Sequence, residues 1–342
     1  LNFLPTWQFV GRSLVITEIA GPGFMKINTT FRKTYRRALA IYISLTAIQY
    51  ALLRISGLNK SDSLITSLSN ISTAGLMNLN NGNIVGYGLS VKIIISIFAF
   101  LSSLNFSILL LATMKKFREL TEGPELKFHA GRILTTTIFI TGILYITYNR
   151  TLSSLKEFGN VLMQVISYFT TAGYQISDTN GWPGAACAII LIQMFIGACA
   201  ISSGGGIKAA RTIIALKTSS RTLYRHIHKN AIRPIKYAGT PLKLNTLLRC
   251  NLYIVMFVVT FLFGALILSI NLDLNTALNT SLAMLTNTGT YINQTATPGI
   301  IDDYSIVSKI TMMFLMLAGR LEIYPVILIF FKSFWKNDND FL

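Results

Sequence analysis

Leu155–Tyr174 reads LKEFGNVLMQVISYFTTAGY, a half-apolar run of helical character that stops at Thr170-Thr171-Ala172-Gly173. It is too short and too polar to cross a bilayer, which takes roughly 20 mostly apolar residues. Two other stretches share its form. Ser61–Leu76 reaches Ser72-Thr73-Ala74-Gly75, and Leu274–Thr290 reaches Thr286-Asn287-Thr288-Gly289. Each is weakly apolar and Ser/Thr/Asn-rich, and each ends in small hydroxyl or amide residues followed by Gly. The three glycines fall about 100 residues apart, which marks an internal repeat.

Longer apolar runs flank these stretches. Ala38–Ile55, Val91–Thr113, Ile133–Tyr148, Ala185–Leu216, Leu252–Ile270 and Val307–Phe331 are candidate bilayer spans. Each half-polar stretch lies between two of them, so helix, short segment and helix recur three times. Such a segment suits a loop that dips into the membrane inside protein and returns. The competing reading is an extracellular hairpin; one ending repeated in three places favours re-entry.

Composition points the same way. The 342 residues are 52% hydrophobic and 13% charged, against about 25% charged in an ordinary soluble domain. Mean hydropathy is +0.54. A disordered chain, a disulfide-rich secreted domain and a typical soluble enzyme are excluded. The expected fold class is an all-α polytopic membrane protein. The first residue is Leu and no signal peptide opens the chain, so a fragment or a processed chain is expected.

The net charge of +17 follows the same repeat. Arg32, Lys33, Arg36, Arg37, Lys115, Lys116, Arg118 and the many cations of Lys208–Arg249 fall between the repeated units. Asp62, Glu157, Asp178, Asp273, Asp302 and Asp303 fall on the other side. Cytoplasmic loops collect Lys and Arg, so the basic excess reads as topology, with the short segments entering from outside. Nucleic acid is therefore not an expected partner.

A re-entrant helix that ends inside the membrane presents its carbonyl end, with its partial negative charge, near the bilayer centre. A Thr/Ala/Gly turn exposes backbone carbonyls there, and several turns around one axis can replace the water shell of a cation. The candidate ion-binding residues are Ser72, Thr73, Ala74 and Gly75, then Thr170, Thr171, Ala172 and Gly173, then Thr286, Asn287, Thr288 and Gly289. Ser202, Ser203, Gly204, Gly205 and Gly206 interrupt an apolar span and read either as a gate or as a plain helix kink. No phosphate-binding loop is present, because Ala209 follows Lys208 where Ser or Thr is needed. Arg320 sits in an apolar run and faces the ion path or the carbonyl ends of the short segments, unless it snorkels to the cytoplasmic interface. Glu322 is two positions on and points elsewhere.

Other signals are weak. Cys187, Cys199 and Cys250 have no metal-ligand spacing, and His226 and His228 lack a third ligand, so no metal site is assigned. No Ser/His/Asp or Cys/His arrangement suggests catalysis, and no enzyme activity is expected. The basic segment Lys217–Arg249 is either a solvated loop near anionic lipid or a docking surface for a cytoplasmic partner.

The sequence resembles the Trk/Ktr/HKT superfamily of potassium and sodium transporters, and most of all the bacterial Trk potassium-uptake membrane subunit. Gly204-Gly205-Gly206-Ile207-Lys208 with Arg211 carries the resemblance, as does Gly319-Arg320-Leu321-Glu322-Ile323. Thr170–Tyr174 followed by Asp178 and Trp182-Pro183, and His228–Pro234, also match. The resemblance implies four helix–pore loop–helix units around one pore, of which this chain shows three. Residues 1–37 would be the end of the first unit and a linker, with Leu1–Pro22 its tail. Residues 38–131, 132–249 and 250–342 would be the second, third and fourth units. It implies potassium uptake across the bacterial inner membrane by a multi-pass protein. The filter would be the three turns named above, the gate Ser202–Gly206, and Arg320 a charge beside the pore. No cofactor is implied beyond the transported potassium ion. The implied partners are the lipid bilayer, a second copy in a homodimer, and a cytoplasmic nucleotide-binding regulatory subunit (TrkA-like). If the first unit is absent, the alternative is a non-transporting fragment that associates with intact transporter subunits.

Overall fold

The computed structural model describes residues 31–75, 84–113, 123–148, 154–179, 181–229, 234–289 and 304–328. The expected tail over Leu1–Pro22, the basic group Lys115, Lys116 and Arg118, and part of the His228–Pro234 match lie outside these residues.

The described residues are mostly helical. Helix α1 is Phe31–Ile55, α2 is Lys60–Ile71, α3 is Leu89–Ser103 and α4 is Phe106–Thr113. Next come α5, Pro124–Thr147, α6, Ser154–Phe169, α7, Gly184–Ile196, and α8, Ala209–Ile227. A small antiparallel hairpin pairs β1, Lys236–Tyr237, with β2, Thr240–Pro241. Helices α9, Leu244–Leu268, α10, Leu274–Leu285, α11, Ile306–Arg320, and α12, Ile323–Leu328, complete the order.

Three helices are long and apolar enough to cross a membrane, over Arg36–Ile55, Pro124–Thr147 and Leu244–Leu268. Helix α9 shows how this differs from a soluble core helix. Its inner face buries Leu247, Tyr253, Phe257, Phe261 and Leu268. Its outer face exposes Leu248, Leu252, Val255, Val259, Leu262 and Leu266, at steps of four and three. A helix apolar all round is stable only where its outer face meets protein or hydrocarbon.

The short helices have the opposite polarity. Helix α2 buries Asp62, Ser63, Thr66, Ser67, Ser69 and Asn70, while its Leu64 and Leu68 are exposed. Gln164 and Ser167 on α6 and Thr280 and Ser281 on α10 are also buried. Some of these groups find internal partners, while Ser63 Oγ, Thr66 Oγ1 and Thr280 Oγ1 are buried without one. Asn70 Nδ2 donates to Ile95 O at 3.0 Å, and Ser281 Oγ donates to Phe261 O at 2.8 Å. Gln164 Oε1 accepts from the amides of Ile176 and Ser177 at 2.7 and 2.8 Å, fixing the chain that follows Gly173.

Capping sets where two helices begin. Asp273 opens α10 by accepting from Thr276 N at 3.2 Å and Thr276 Oγ1 at 2.8 Å. Those bonds hold its carboxyl below the usual range, so this cap is intact at neutral pH and is lost as pH falls through the depressed value. Ser305 caps α11 through Ser308 N. The largest apolar cluster joins α5, α6, α7, α9, α10 and α11 through residues such as Phe169, Met194, Phe257, Leu285 and Leu315.

Three spans differ from their sequence reading. Val91–Thr113 is broken at Leu104–Asn105. There Ser103 O accepts from Cys199 N at 3.1 Å, and Phe106 N donates to Ile201 O at 3.2 Å. Backbone groups freed from the helix are thus satisfied by a neighbouring loop. Helix α5 begins well before Ile133, at Pro124, because Glu125, His129 and Arg132 are buried helical residues and not loop charges. The run Val307–Phe331 stops at Arg320 and resumes at Ile323, with Glu322 at φ +63° between them.

Gly264 lets α9 approach its neighbours. A Cβ there would lie 2.7 Å from Leu315 Cδ1 and 2.9 Å from Ser281 Oγ. Gly264→Leu should destabilise by about 1–3 kcal/mol through overpacking, read as a lower melting temperature in detergent. An unchanged melting temperature would mean that α9 and α11 pack less closely than described.

Candidate functional site

Helices α2, α6 and α10 end in one backbone conformation. The amides of Ser72, Thr170 and Thr286 still make helical bonds, to Leu68 O, Ile166 O and Leu282 O. The next amides, of Thr73, Thr171 and Asn287, turn back to Asn70 O, Tyr168 O and Met284 O. Those of Ala74, Ala172 and Thr288 reach Ser69 O, Ser167 O and Ala283 O at 2.8, 3.0 and 2.9 Å. This bonding closes a helix through a left-handed residue. Thr73, Thr171 and Asn287 accordingly have φ of 52°, 57° and 57°. Gly75, Gly173 and Gly289 follow with φ of 68°, 72° and 78°. A left-handed residue with a Cβ costs on the order of 1–2 kcal/mol. Three at matched places indicate that the surroundings hold them there.

The turns use their amides on their own helices, so their carbonyls turn elsewhere. A Cβ on Gly75 would lie 2.6 Å from Ala172 O and 3.6 Å from Thr288 O. Carbonyl oxygens from the second and third turns therefore meet beside the first.

Below the turns runs the non-helical stretch from Gly197 to Lys208, between α7 and α8. Thr73 Oγ1 donates to Ser203 O at 2.8 Å. Gly205 N donates to Thr171 Oγ1 at 2.8 Å. A Cβ on Gly205 would lie 2.0 Å from Thr286 O, so no side chain fits. The loop thus touches all three turns. Ser203 Oγ also donates to Ser102 O at 3.0 Å, at the break between α3 and α4.

Cations satisfy the loop carbonyls. Arg320 donates from one guanidinium nitrogen to Ser203 O at 2.7 Å and from the other to Ser72 O at 3.3 Å. It sits at the end of α11 and is partly exposed, reaching carbonyls of both the loop and the first turn. Lys208 Nζ donates to Gly204 O and, at 3.5 Å, to Ser202 O. Arg132 donates to Gly197 O at 2.7 Å and stacks over the Phe169 ring at 5.0 Å. Glu322 pairs with Arg211 at 2.5 Å, and Arg211 lies over the Tyr253 ring at 3.8 Å.

Sequence reading named the turns, Ser202–Gly206 and Arg320, and the structure places them in mutual contact. It missed Lys208 and Arg132 as partners of the loop, and it missed Glu125. The spacing Glu125, His129, Arg132 puts three ionisable groups on one face of a helix, a signal that counting charges by loop conceals. Tyr237 on β1 donates to Glu125 Oε1. Burial, and then the Glu125 carboxylate, push the Tyr237 phenol well up from its ordinary value, so it stays a donor. Among the described residues no group of His, Cys, Asp and Glu is placed to hold a metal ion. A basic cavity of about 310 Å³, lined by Thr218, Arg221, Thr222, Arg225, His226 and Lys229, lies along α8 and shares no residue with the turns.

Three comparisons bear on this arrangement. The potassium uptake protein TrkH of the Trk system of Halomonas elongata is 28% identical over 98% of this chain, which spans 69% of that protein's length. The TrkG protein of Escherichia coli is 25% identical over the same shares. The crystal structure of the potassium transporter TrkH from Vibrio parahaemolyticus superposes with a TM-score of 0.83, covering 96% of this chain and 71% of that one, at 23% identity. That likeness shows a shared fold. A profile described as TrkH, cation transport protein, matches residues 9–338. The chain belongs to the TrkH family of cation transport proteins, which are integral membrane transporters and not enzymes.

Proposed function

We propose that the chain conducts potassium inward through a pore lined by the three turns and gated by Ser202–Gly206. The observation that carries this is the convergence of Ser72–Gly75, Thr170–Gly173 and Thr286–Gly289 on one loop, each turn with the same left-handed backbone. Such turns present carbonyl oxygens at a depth where irregular backbone is tolerated only when it is buried or lines a cavity. Carbonyl rings of this kind replace the hydration shell of a cation. The related proteins are named potassium uptake proteins, which supports potassium as the ion. No cofactor enters this reading.

In this reading α1–α3, α5–α7 and α9–α11 are three helix–pore loop–helix units in a multi-pass protein of a bacterial inner membrane. The drive is the membrane potential, about 2.3 kcal/mol per charge per 100 mV. The loop lies directly beneath the turns, where displacement by a few ångströms would open or close the path. Arg320 holds that loop and places a positive charge beside the path. The basic segment Lys217–Arg249 is the natural contact for a cytoplasmic nucleotide-binding regulatory subunit, and a homodimer is the expected assembly.

Two measurements test the filter and the gate. Gly173→Ser should weaken potassium over sodium preference in flux assays, because Gly173 holds φ 72° and a side chain strains the turn. An unchanged ion preference removes Gly173 from the filter. Arg320→Gln should raise potassium flux by about tenfold or less, the equivalent of about 1.4 kcal/mol off the barrier. Equal or lower flux, with the protein inserted, counts against a charge that guards the path.

Growth of a potassium-uptake-deficient bacterium at low potassium tests the function as a whole. The 342-residue chain is expressed alone and as a fusion with the N-terminal part of a relative. Rescue by either form is the expected result. Rescue by neither, with both in the membrane, contradicts it.

A further inference from the structure

The buried carboxylate of Glu125 is used by none of the steps above. It lies in the first turn of α5, 6% exposed. Its partners come from three separate places in the fold. Oε1 accepts from the Tyr237 hydroxyl of the β1–β2 hairpin. Oε2 accepts from Asn105 Nδ2 at 3.3 Å, at the break between α3 and α4. Ala200, inside the 197–208 loop, has its amide on the side of this carboxylate and favours its charged form.

We propose that Glu125 is the joint through which the cytoplasmic hairpin sets the position of the 197–208 loop, with Tyr237 as the positioning residue on the hairpin side. This rests on reading the loop as the gate. The hairpin is firmly attached at its outer end. Lys217 Nζ of α8 donates to Lys236 O at 2.9 Å, and Leu242 N closes back on Ile235 O at 2.9 Å. The Tyr237 ring is buried among Ile214, Leu247 and Cys250, with Ala200 packed against the same cluster. A pull on α8 or the hairpin therefore reaches the Tyr237 hydroxyl without slack.

The chemistry at the joint makes the pull consequential. A buried carboxyl that loses one donor leans on those that remain, here Asn105 Nδ2 at 3.3 Å. Lys208 stands at the far end of the 197–208 loop, just before α8. Its ammonium now sits on Gly204 O and Ser202 O in the gate. If Tyr237 withdraws, Glu125 shifts toward Asn105, beside which Ser103 O and Phe106 N are bonded to Cys199 and Ile201 of the loop. Gly204 and Gly205 are the residues that touch Thr170, Thr171 and Thr286 of the turns. The hairpin and the gate are thus connected through one hydroxyl, one carboxylate and the Asn105 break that is bonded to the loop.

The test uses the whole chain with Tyr237→Phe, Glu125→Gln and the double variant, read by amide hydrogen exchange and by rubidium flux in proteoliposomes. Tyr237→Phe keeps the ring and removes only the hydroxyl. We expect exchange at the amides of 198–207 to rise on the order of threefold or more, with exchange at 170–173 and the melting temperature unchanged. Flux should change by a similar factor while rubidium over sodium preference stays the same. The two single effects should not add in the double variant. Wild-type exchange at 198–207 in Tyr237→Phe, or full additivity, overturns the proposal. So does a general rise in exchange that includes 170–173 with a lowered melting temperature, which a merely structural cluster would give. Should Tyr237→Phe not fold, Glu125→Gln supplies the same exchange readout. If the unaltered chain carries no rubidium, the conduction reading fails by itself, and exchange still decides whether hairpin and loop are joined.

Discussion

Where a chain leaves the helical state inside an apolar layer, every freed N–H and C=O needs a partner, because no water is there to supply one. The described residues break from helix at depth in a few places, and each break is answered. The turns after α2, α6 and α10 return their amides to their own helix ends. The break at Leu104–Asn105 pairs with Cys199 and Ile201 of the 197–208 loop. That loop in turn gives its carbonyls to Thr73, Arg320, Lys208 and Arg132. The irregular segments therefore satisfy one another, which is why they sit together. Moving one of them leaves backbone groups of another exposed to hydrocarbon.

The distribution of polarity follows from the same constraint. Apolar side chains face outward on α9, and hydroxyl and amide side chains face inward on α2, α6 and α10. In water this would be an inverted protein. In a bilayer the outer face costs nothing, and inner polar groups such as Gln164 and Ser167 provide partners for backbone that has left the helix. The basic residues that remain at depth are not spare charges. Arg211 is neutralised by Glu322 and covered by Tyr253, while Arg320, Lys208 and Arg132 are each committed to loop carbonyls.

Much of this could be read in the sequence, for reasons that differ by element. Composition and long apolar runs specify an all-helical membrane protein, because nothing else accounts for so little charge. The turns are legible because Ser-Thr-Ala-Gly, Thr-Thr-Ala-Gly and Thr-Asn-Thr-Gly put glycine where a left-handed residue is needed. The Gly-Gly-Gly run at 204–206 is legible as a place no helix favours. The break at Leu104–Asn105 is only half legible: Ser102-Ser103-Leu104-Asn105 is a weak helix former, but its partners Cys199 and Ile201 lie about 100 residues away. The turn at Glu322 lies three residues before Pro325, which has no amide for Leu321 O and whose ring would meet that carbonyl in a helix; Glu322 there pairs with Arg211 across the fold. Glu125, His129 and Arg132 have a helical spacing whose meaning shows only in the partners that bury them.

The central claim is that the three turns form a cation path closed below by the 197–208 loop. It is tested most directly by locating a heavy alkali-metal substitute in crystals of this protein grown in rubidium, using anomalous scattering. The account predicts peaks enclosed by the carbonyl oxygens of residues 72–75, 170–173 and 286–289, above Gly205. Peaks confined to the surface acidic residues, with none between the turns, would contradict it.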